Sequence, residues 1–182
     1  MDTTCGFSAI RLSEILKEWA VRGDVSRVAL SRICVATAFD VHELLSLLDG
    51  VLRGDGEGGQ QLAPALVVVD SVTAVVSPLL NTKHAQGHAL MVSLMYALRA
   101  VAEERGCAVL VTNATVSGRE GGEGSLKPAL GETWKSAPHT RLQCMLGWGD
   151  GAPNTATVEL GRGRGERRAY KLRASGWHHV AT

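Results

Sequence analysis

The sequence has few aromatic residues and no long apolar run, and both shortages narrow the class of fold. Aromatic side chains make up 4% of the 182 residues, whereas glycine occurs 21 times. This balance suits an α/β protein with many tight turns better than a β-sandwich packed by aromatic side chains. No stretch approaches the roughly 18 apolar residues of a membrane span, and the first residues do not resemble a signal peptide. We therefore expect one α/β domain over residues 1–182, without a membrane partner.

Several common catalytic and metal-binding patterns are also missing from the sequence. It has no nucleophile elbow, no cysteine spacing typical of zinc sites and no pair of carboxylates placed for acid–base catalysis. His84 and His88 are four residues apart, but no carboxylate lies between them and Gly87 interrupts the helix face, so a metal site there is disfavoured. Cys34 and Cys107 lie within or beside apolar runs, which predicts reduced core thiols in a cytosolic or nuclear protein.

The spacing of apolar residues predicts alternating helices and strands. The expected helices are 8–21, 41–52 and 87–105, and the expected strands are 33–37, 65–70, 107–112, 140–146, 156–160 and 168–173. Continuous apolar strands around a helix form a βαβ unit, so a mostly parallel sheet with an antiparallel edge is expected. Residues 54–63 are predicted to form a flexible surface loop. This loop contains no lysine and precedes a strand, so it is not a phosphate-binding loop.

Two polar residues follow predicted strands at what is expected to be one edge of the sheet. In open parallel sheets, ligands bind beyond the carboxyl ends of the strands, which singles out Asp70 and Asn113. An aspartate after four apolar strand residues, followed by Ser71, is the Walker B arrangement, which holds Mg²⁺ through water beside nucleotide phosphates. A polar strand terminus without a ligand explains the same pattern equally well.

Clusters of cations give two candidate surfaces for binding nucleic acid. Residues 161–173 carry six cations, including Arg162 and Arg164, a density that can neutralise phosphates. The alternation in residues 168–173 equally fits an edge strand protected by charge against aggregation. Arg119 and Lys127 lie in or beside a glycine-rich polar segment, which can close on a flexible strand of nucleic acid.

The segment 66–80, followed by Val111-Thr112-Asn113, by 126–131 and by 140–142, resembles the RecA-like recombinase family of eukaryotes, within it the D-type paralogue branch. The resemblance covers the chain from Asp2 to about Arg173. It implies a RecA-like core, with Asp70 as the Walker B acid. It also implies a first DNA loop around 77–87 and a second around 114–126.

Three features depart from the pattern of active members of that family. The family's Walker A loop lies upstream of the first residue here, which predicts a partial RecA-like domain, incomplete at its N-terminal side, from a fragment, an alternative product or a truncated gene model. Thr4 stands where active members carry a glutamate that orients the attacking water. Ala114 stands where they usually carry a polar residue that senses the γ-phosphate. These departures predict that the chain does not hydrolyse ATP by itself, although the family is one of DNA-dependent ATPases.

The resemblance implies a nuclear DNA-repair subunit of homologous recombination. Such a subunit would join other recombinase paralogues in a hetero-oligomer, bind single-stranded DNA and support assembly of the recombinase filament. ATP and Mg²⁺ would be cofactors of the full-length parent, at Asp70, Ser71 and Asn113, with neither bound by this chain alone. The alternative is a protein-interaction module on a RecA-like scaffold, with no nucleotide role.

Overall fold

A computed structural model describes residues 1–18, 23–55, 63–80, 85–117, 126–145, 154–160, 167–173 and 176–179. These residues belong to two compact units, the first comprising Met1–Phe7 and Val35–Ala137 and the second comprising Ser8–Cys34 and Pro138–Thr182. The single domain expected over 1–182 stays a prediction. None of the described helices combines the length and the hydropathy needed to cross a bilayer.

The described residues form six helices and eight strands. The helices are α1 (Ala9–Glu18), α2 (Gly23–Ser31), α3 (Val41–Arg53), α4 (Val72–Leu80), α5 (Ala85–Glu104) and α6 (Gly131–Lys135). The strands are β1 (Leu66–Val69), β2 (Ala108–Val111), β3 (Thr115–Ser117), β4 (Leu126–Pro128), β5 (Thr140–Met145), β6 (Asn154–Leu160), β7 (Arg167–Arg173) and β8 (Gly176–His179).

Helix α3 shows how local sequence sets the ends of an element. The Asp40 carboxylate accepts hydrogen bonds from the backbone N–H groups of His42 (2.8 Å) and Glu43 (2.9 Å), which caps the first turn. At the other end Gly54 adopts a φ of 77°, a left-handed conformation that glycine tolerates without strain. The buried residues Val41, Leu44, Leu48 and Val51 recur at helical spacing, so one face of the helix joins the core.

A parallel pair of strands forms the centre of the first unit. Strands β1 and β2 pair in register from Leu66 opposite Ala108 to Val69 opposite Val111. The face that carries Val67 and Val69 is packed in the core, together with the buried side chains of α3 and α5. The opposite face is open, since Leu66 is 55% and Leu110 is 53% exposed. This α/β core with parallel and antiparallel strands confirms the predicted fold class.

The first residues of the chain pair in parallel with the end of β1 and with Thr37. Asp2 forms parallel bridges with Thr37 on one side and with Asp70 on the other. The backbone N–H of Asp2 donates to the carbonyl of Ala36 (2.8 Å), and that of Thr3 donates to the carbonyl of Asp70 (2.8 Å). The amino-terminal segment therefore lies directly beside the end of β1.

Two predictions for residues 33–37 are wrong. Instead of a buried strand, this segment contributes a single bridge at Thr37, and the Cys34 thiol is exposed. An apolar β-branched sequence favours a strand, but a strand forms only where a neighbour supplies hydrogen bonds along its length. The Cys107 thiol is buried as expected.

Helices α4 and α5 shorten the first predicted DNA loop. Of residues 77–87, Ser77–Leu80 belong to α4, residues 85–87 belong to α5, and 81–84 lie outside the described residues, as does His84. A Cβ atom at Gly87 would lie 2.3 Å from the carbonyl oxygen of Leu79. The glycine therefore permits a close approach of the two helices, which explains its position inside a helix.

The second unit contains a four-stranded antiparallel sheet in the order β5-β6-β7-β8. Strand β7 pairs with β6 through residues 167–170 and with β8 through residues 170–173. The interpretation of 168–173 as an edge strand is therefore wrong, because β7 is an inner strand with neighbours on both sides. A following β8 was not predicted, since Gly176–His179 is too short for its periodicity to be recognised.

Candidate functional site

Asp70 and Asn113 lie at the same edge of the parallel sheet, as expected from the strand order. Asp70 follows β1 and is exposed, and Thr112 and Asn113 follow β2 directly. The Thr112 hydroxyl donates to Asp70 Oδ1 over 2.5 Å. This bond fixes the rotamer of the carboxylate, so its second oxygen has a defined direction.

Ser71 is held by the amino-terminal segment rather than by its own strand. The Thr3 hydroxyl accepts a hydrogen bond from the Ser71 N–H and donates one to the Ser71 carbonyl, both over 2.7 Å. The peptide bond between Asp70 and Ser71 is cis. Thr3 is buried, and these partly buried bonds hold the backbone immediately after Asp70.

Asp2 organises the loop that carries Thr4, a role that the sequence interpretation missed. Its carboxylate accepts backbone N–H bonds from Thr4 (2.9 Å), Gly6 (3.2 Å) and Phe7 (2.9 Å). These backbone donors, first that of Phe7 and then that of Thr4, lower the pKa of Asp2 to about 2. Aspartate commonly bonds to the backbone a few residues onward, so Asp2-Thr3-Thr4 was a signal for such a turn. Thr4 thus follows the residue that bonds to Asp70, and its hydroxyl donates to Asp2 Oδ1 over 3.3 Å.

We expect the stabilisation from Asp2 to disappear in acid. A folded-state pKa of about 2, below the ordinary 3.8, means that the contribution is complete above about pH 4 and is lost as the pH falls through the folded value. Asp2→Asn should lower the urea midpoint at pH 6, because a side-chain amide cannot accept all these bonds. The gap to the wild type should narrow towards pH 2. Asp40→Asn is the control, since asparagine caps helices as well as aspartate; a gap that does not change with pH would contradict the role of Asp2.

Asn113 is bonded to protein groups at both ends of its amide. Its Oδ1 accepts from the Thr73 hydroxyl (2.5 Å), and its Nδ2 donates to the Ala129 carbonyl (3.1 Å). The Thr73 hydroxyl in turn accepts from the N–H of Ala114 (2.8 Å). The Ala129 N–H donates to the Ala114 carbonyl (2.9 Å). Ala114, the residue at the expected γ-phosphate sensor position, therefore contributes backbone groups to this network.

The second predicted DNA loop begins and ends as an antiparallel hairpin. Strand β3 pairs with β4 from Thr115 opposite Pro128 to Ser117 opposite Leu126. The exposed Lys127 lies on β4, opposite Val116. Residues 118–125, which include Arg119, lie outside the described residues. The structure thus places the base of the loop beside Asn113, although the predicted 114–126 loop is in part strand.

The other candidate cations cannot be placed in the same way. Arg162 and Arg164 lie outside the described residues, and β7, which carries the remaining cations of that cluster, belongs to the other compact unit. Within the described residues, no group of three or more histidine, cysteine, aspartate or glutamate side chains could hold a metal ion. His88 is exposed.

The geometry at Asp70 fits Mg²⁺ held through its water shell. Oδ1 is bonded to Thr112, while no hydrogen bond to Oδ2 from the described residues is found, which leaves that oxygen able to accept from a metal-bound water. Mg²⁺ retains several waters and is usually bound through one or two carboxylates together with substrate phosphates. Asp70 supplies one such carboxylate. A nucleotide bound beside this metal ion would need contacts to its phosphates from groups other than Asp70 and its neighbours at the edge of the parallel sheet.

Residues 1–177 match the Rad51 family model. The chain is 40% identical over 147 residues to the DNA repair protein RAD51 homolog 4 of Bos taurus, covering 78% of this chain and 44% of the relative. The corresponding protein of Mus musculus is 38% identical over 145 residues, covering 78% of this chain and 43% of the relative. This chain thus spans less than half the length of these relatives.

The fold is similar to that of a solved structure, the crystal structure of the RadB recombinase. The TM-score is 0.73 at 23% identity, with 99% of this chain and 77% of the other chain covered. At this identity the likeness shows the fold, which is that of a RecA-like recombinase. With a family model matched over nearly the whole chain and relatives near 40% identity, the protein belongs to the Rad51 family.

Proposed function

We propose that the protein acts in DNA repair by homologous recombination, as a recombinase paralogue subunit. The observation that carries this proposal is the match to relatives named as DNA repair proteins over 78% of the chain. In this role it binds sister paralogues in a hetero-oligomer in the nucleus and supports assembly of the recombinase filament on single-stranded DNA. ATP binding belongs to the full-length protein, with Mg²⁺ beside Asp70 and Ser71.

Asn113 contributes to that nucleotide edge mainly through position. Both ends of its amide are bonded to protein groups, so we propose that it aligns the strand end rather than gripping a phosphate. Thr112 holds the Asp70 carboxylate, and Thr3 holds the backbone of Ser71. In this proposal Asn113, Thr112 and Thr3 position the groups at the sheet edge, and none of the three needs to contact the nucleotide itself.

The competing proposal is an interaction module with no nucleotide role. It is favoured by Thr4 and Ala114, which replace two polar groups expected in an active member, and by the exposed sheet face at Leu66 and Leu110. Titration of a fluorescent ATP analogue into the full-length protein discriminates the two. Saturable binding that requires Mg²⁺ and is weakened by Asp70→Ala supports a nucleotide role. The absence of such binding supports the interaction module.

DNA binding should depend on the hairpin and its loop. With a net charge of only +1, local cations must supply the attraction to phosphates. In the partner-bound complex, Lys127→Ala and Arg119→Ala should each reduce the slope of log affinity against log salt by roughly 0.7, the value for one contact to a single strand. Sequence preference should barely change. Fluorescence anisotropy with an oligo-dT probe at several salt concentrations measures this slope.

Two further sets of variants make the salt titration decisive. Lys135→Ala is the matched control, because this exposed lysine lies 3.4 Å from Glu132 on α6 and should leave the slope unchanged. Arg162→Ala and Arg164→Ala test the second cluster, which we expect to contribute less than the loop pair. If neither the loop set nor the C-terminal set changes the slope, the chain does not contact DNA in the complex.

A further inference from the structure

The hydrogen bond between Asp70 and Thr112 adjoins a second set of hydrogen bonds at the base of the hairpin. Thr112 holds the Asp70 carboxylate, and the next residue along the chain, Asn113, belongs to the second set. The Asn113 amide then bridges Thr73, near the start of α4, and Ala129, directly after β4. One side chain thus joins three segments that are far apart in sequence.

Thr73 is central to this network because its hydroxyl both donates and accepts. It donates to Asn113 Oδ1 and accepts from the backbone N–H of Ala114, which leads into β3. A hydroxyl has one hydrogen to donate and lone pairs to accept with, so both of these bonds can exist together. Replacing Thr73 with valine would remove both bonds while retaining a β-branched shape.

The residues that follow α6, after the hairpin in the chain, are bonded to helix α5. The Arg99 guanidinium, on α5, donates to the carbonyl of Ala137 through Nε (3.1 Å) and Nη2 (2.8 Å), and to the carbonyl of Ser136 through Nη2 (3.1 Å). These carbonyls follow α6, so Arg99 fixes α6 independently of Thr73. Loss of the Thr73 bonds should therefore loosen the hairpin base without releasing α6.

We propose that Thr73 and Asn113 form a latch that fixes the base of the β3–β4 hairpin to α4. The base of the hairpin is then held to α4 through two side chains, in addition to the pairing of β3 with β4. Thr73 is a positioning residue in this proposal, because it acts on the hairpin through Asn113 and Ala114. That the hairpin contacts DNA rests on the function proposed above, whereas the latch itself does not.

Hydrogen exchange on the whole chain tests the latch without DNA. Thr73→Val should lower the protection of the β3 and β4 amides about fivefold to thirtyfold, the factor expected for one or two lost hydrogen bonds. Protection in α3 should not change, which shows that the fold is retained. Thr73→Ser should restore the hairpin, because serine keeps the hydroxyl. Thr133→Val, at a half-buried threonine of α6, is the matched control and should leave the hairpin unchanged.

Binding of oligo-dT by the partner-bound complex separates positioning from contact. Thr73→Val should weaken binding without changing the salt slope, since it removes no cation, whereas Lys127→Ala should reduce the slope. Unchanged hairpin protection in Thr73→Val, a loss that serine does not restore, or a reduced salt slope would each overturn the latch as proposed. If the wild-type complex does not bind DNA at all, the proposed function fails, and the exchange measurement still decides the latch.

Discussion

The 182-residue chain is expected to show no saturable binding of an ATP analogue and no ATP hydrolysis. Phosphate binding in this class of protein requires a glycine-rich loop whose backbone N–H groups surround the phosphates, together with a lysine. The sequence Gly-x-x-x-x-Gly-Lys-Ser/Thr does not occur in these 182 residues. Asp70 offers one carboxylate oxygen to a metal-bound water, which contributes little without the phosphates that complete the shell.

A fluorescent ATP analogue titrated with Mg²⁺ into the purified chain measures this directly. Wild type and Asp70→Ala should give the same flat, unsaturable response, and a recombinase that contains the Walker A loop serves as the positive control. Phosphate release in the presence of single-stranded DNA should equal the background rate. Saturable binding that Asp70→Ala abolishes would show that the edge of the parallel sheet binds nucleotide without that loop.

The isolated chain is also expected to unfold over a broad range and to bind the dye ANS. Leu66 and Leu110 are more than half exposed and lie on one face of the parallel sheet, with Val68 between them half-buried. Exposed apolar surface of this kind binds the dye and promotes association. A paralogue that binds the folded state should narrow the transition and raise its midpoint by mass action.

Two variants test whether the open face is the cause. Leu66→Thr combined with Leu110→Thr should reduce dye binding with little change in stability, because threonine suits an exposed strand position. Leu94→Ala is the comparison, since this α5 side chain is fully buried and its truncation should cost about 2–5 kcal/mol. A sharp transition that depends on neither concentration nor partner would contradict the prediction, as would equal destabilisation by both variants.

The sequence alone determined the elements whose signal is local. Helices α3 and α5 and strands β1 and β2 were predicted to within about two residues, since apolar spacing follows directly from helix and strand geometry. The shared edge of Asp70 and Asn113 followed from a general rule, that parallel strands present their carboxyl ends together. The segment 66–80, which resembles the RecA-like recombinase family, also indicated the RecA-like fold.

Only the tertiary structure decided which strands pair and which polar groups meet. The inner position of β7 depends on its two partner strands, which the alternation of its own residues cannot reveal. Residues 33–37 have strand-like residues, but a strand also needs a neighbour along its length, and this segment is bridged only at Thr37 within the described residues. The partners of Asn113 are 40 residues before it in Thr73 and 16 residues after it in Ala129. Hydrogen bonds across such separations depend on the folded arrangement of α4, β2 and the hairpin. For this reason the sequence could indicate Asn113 as a candidate site residue, while only the structure could identify its hydrogen-bond partners.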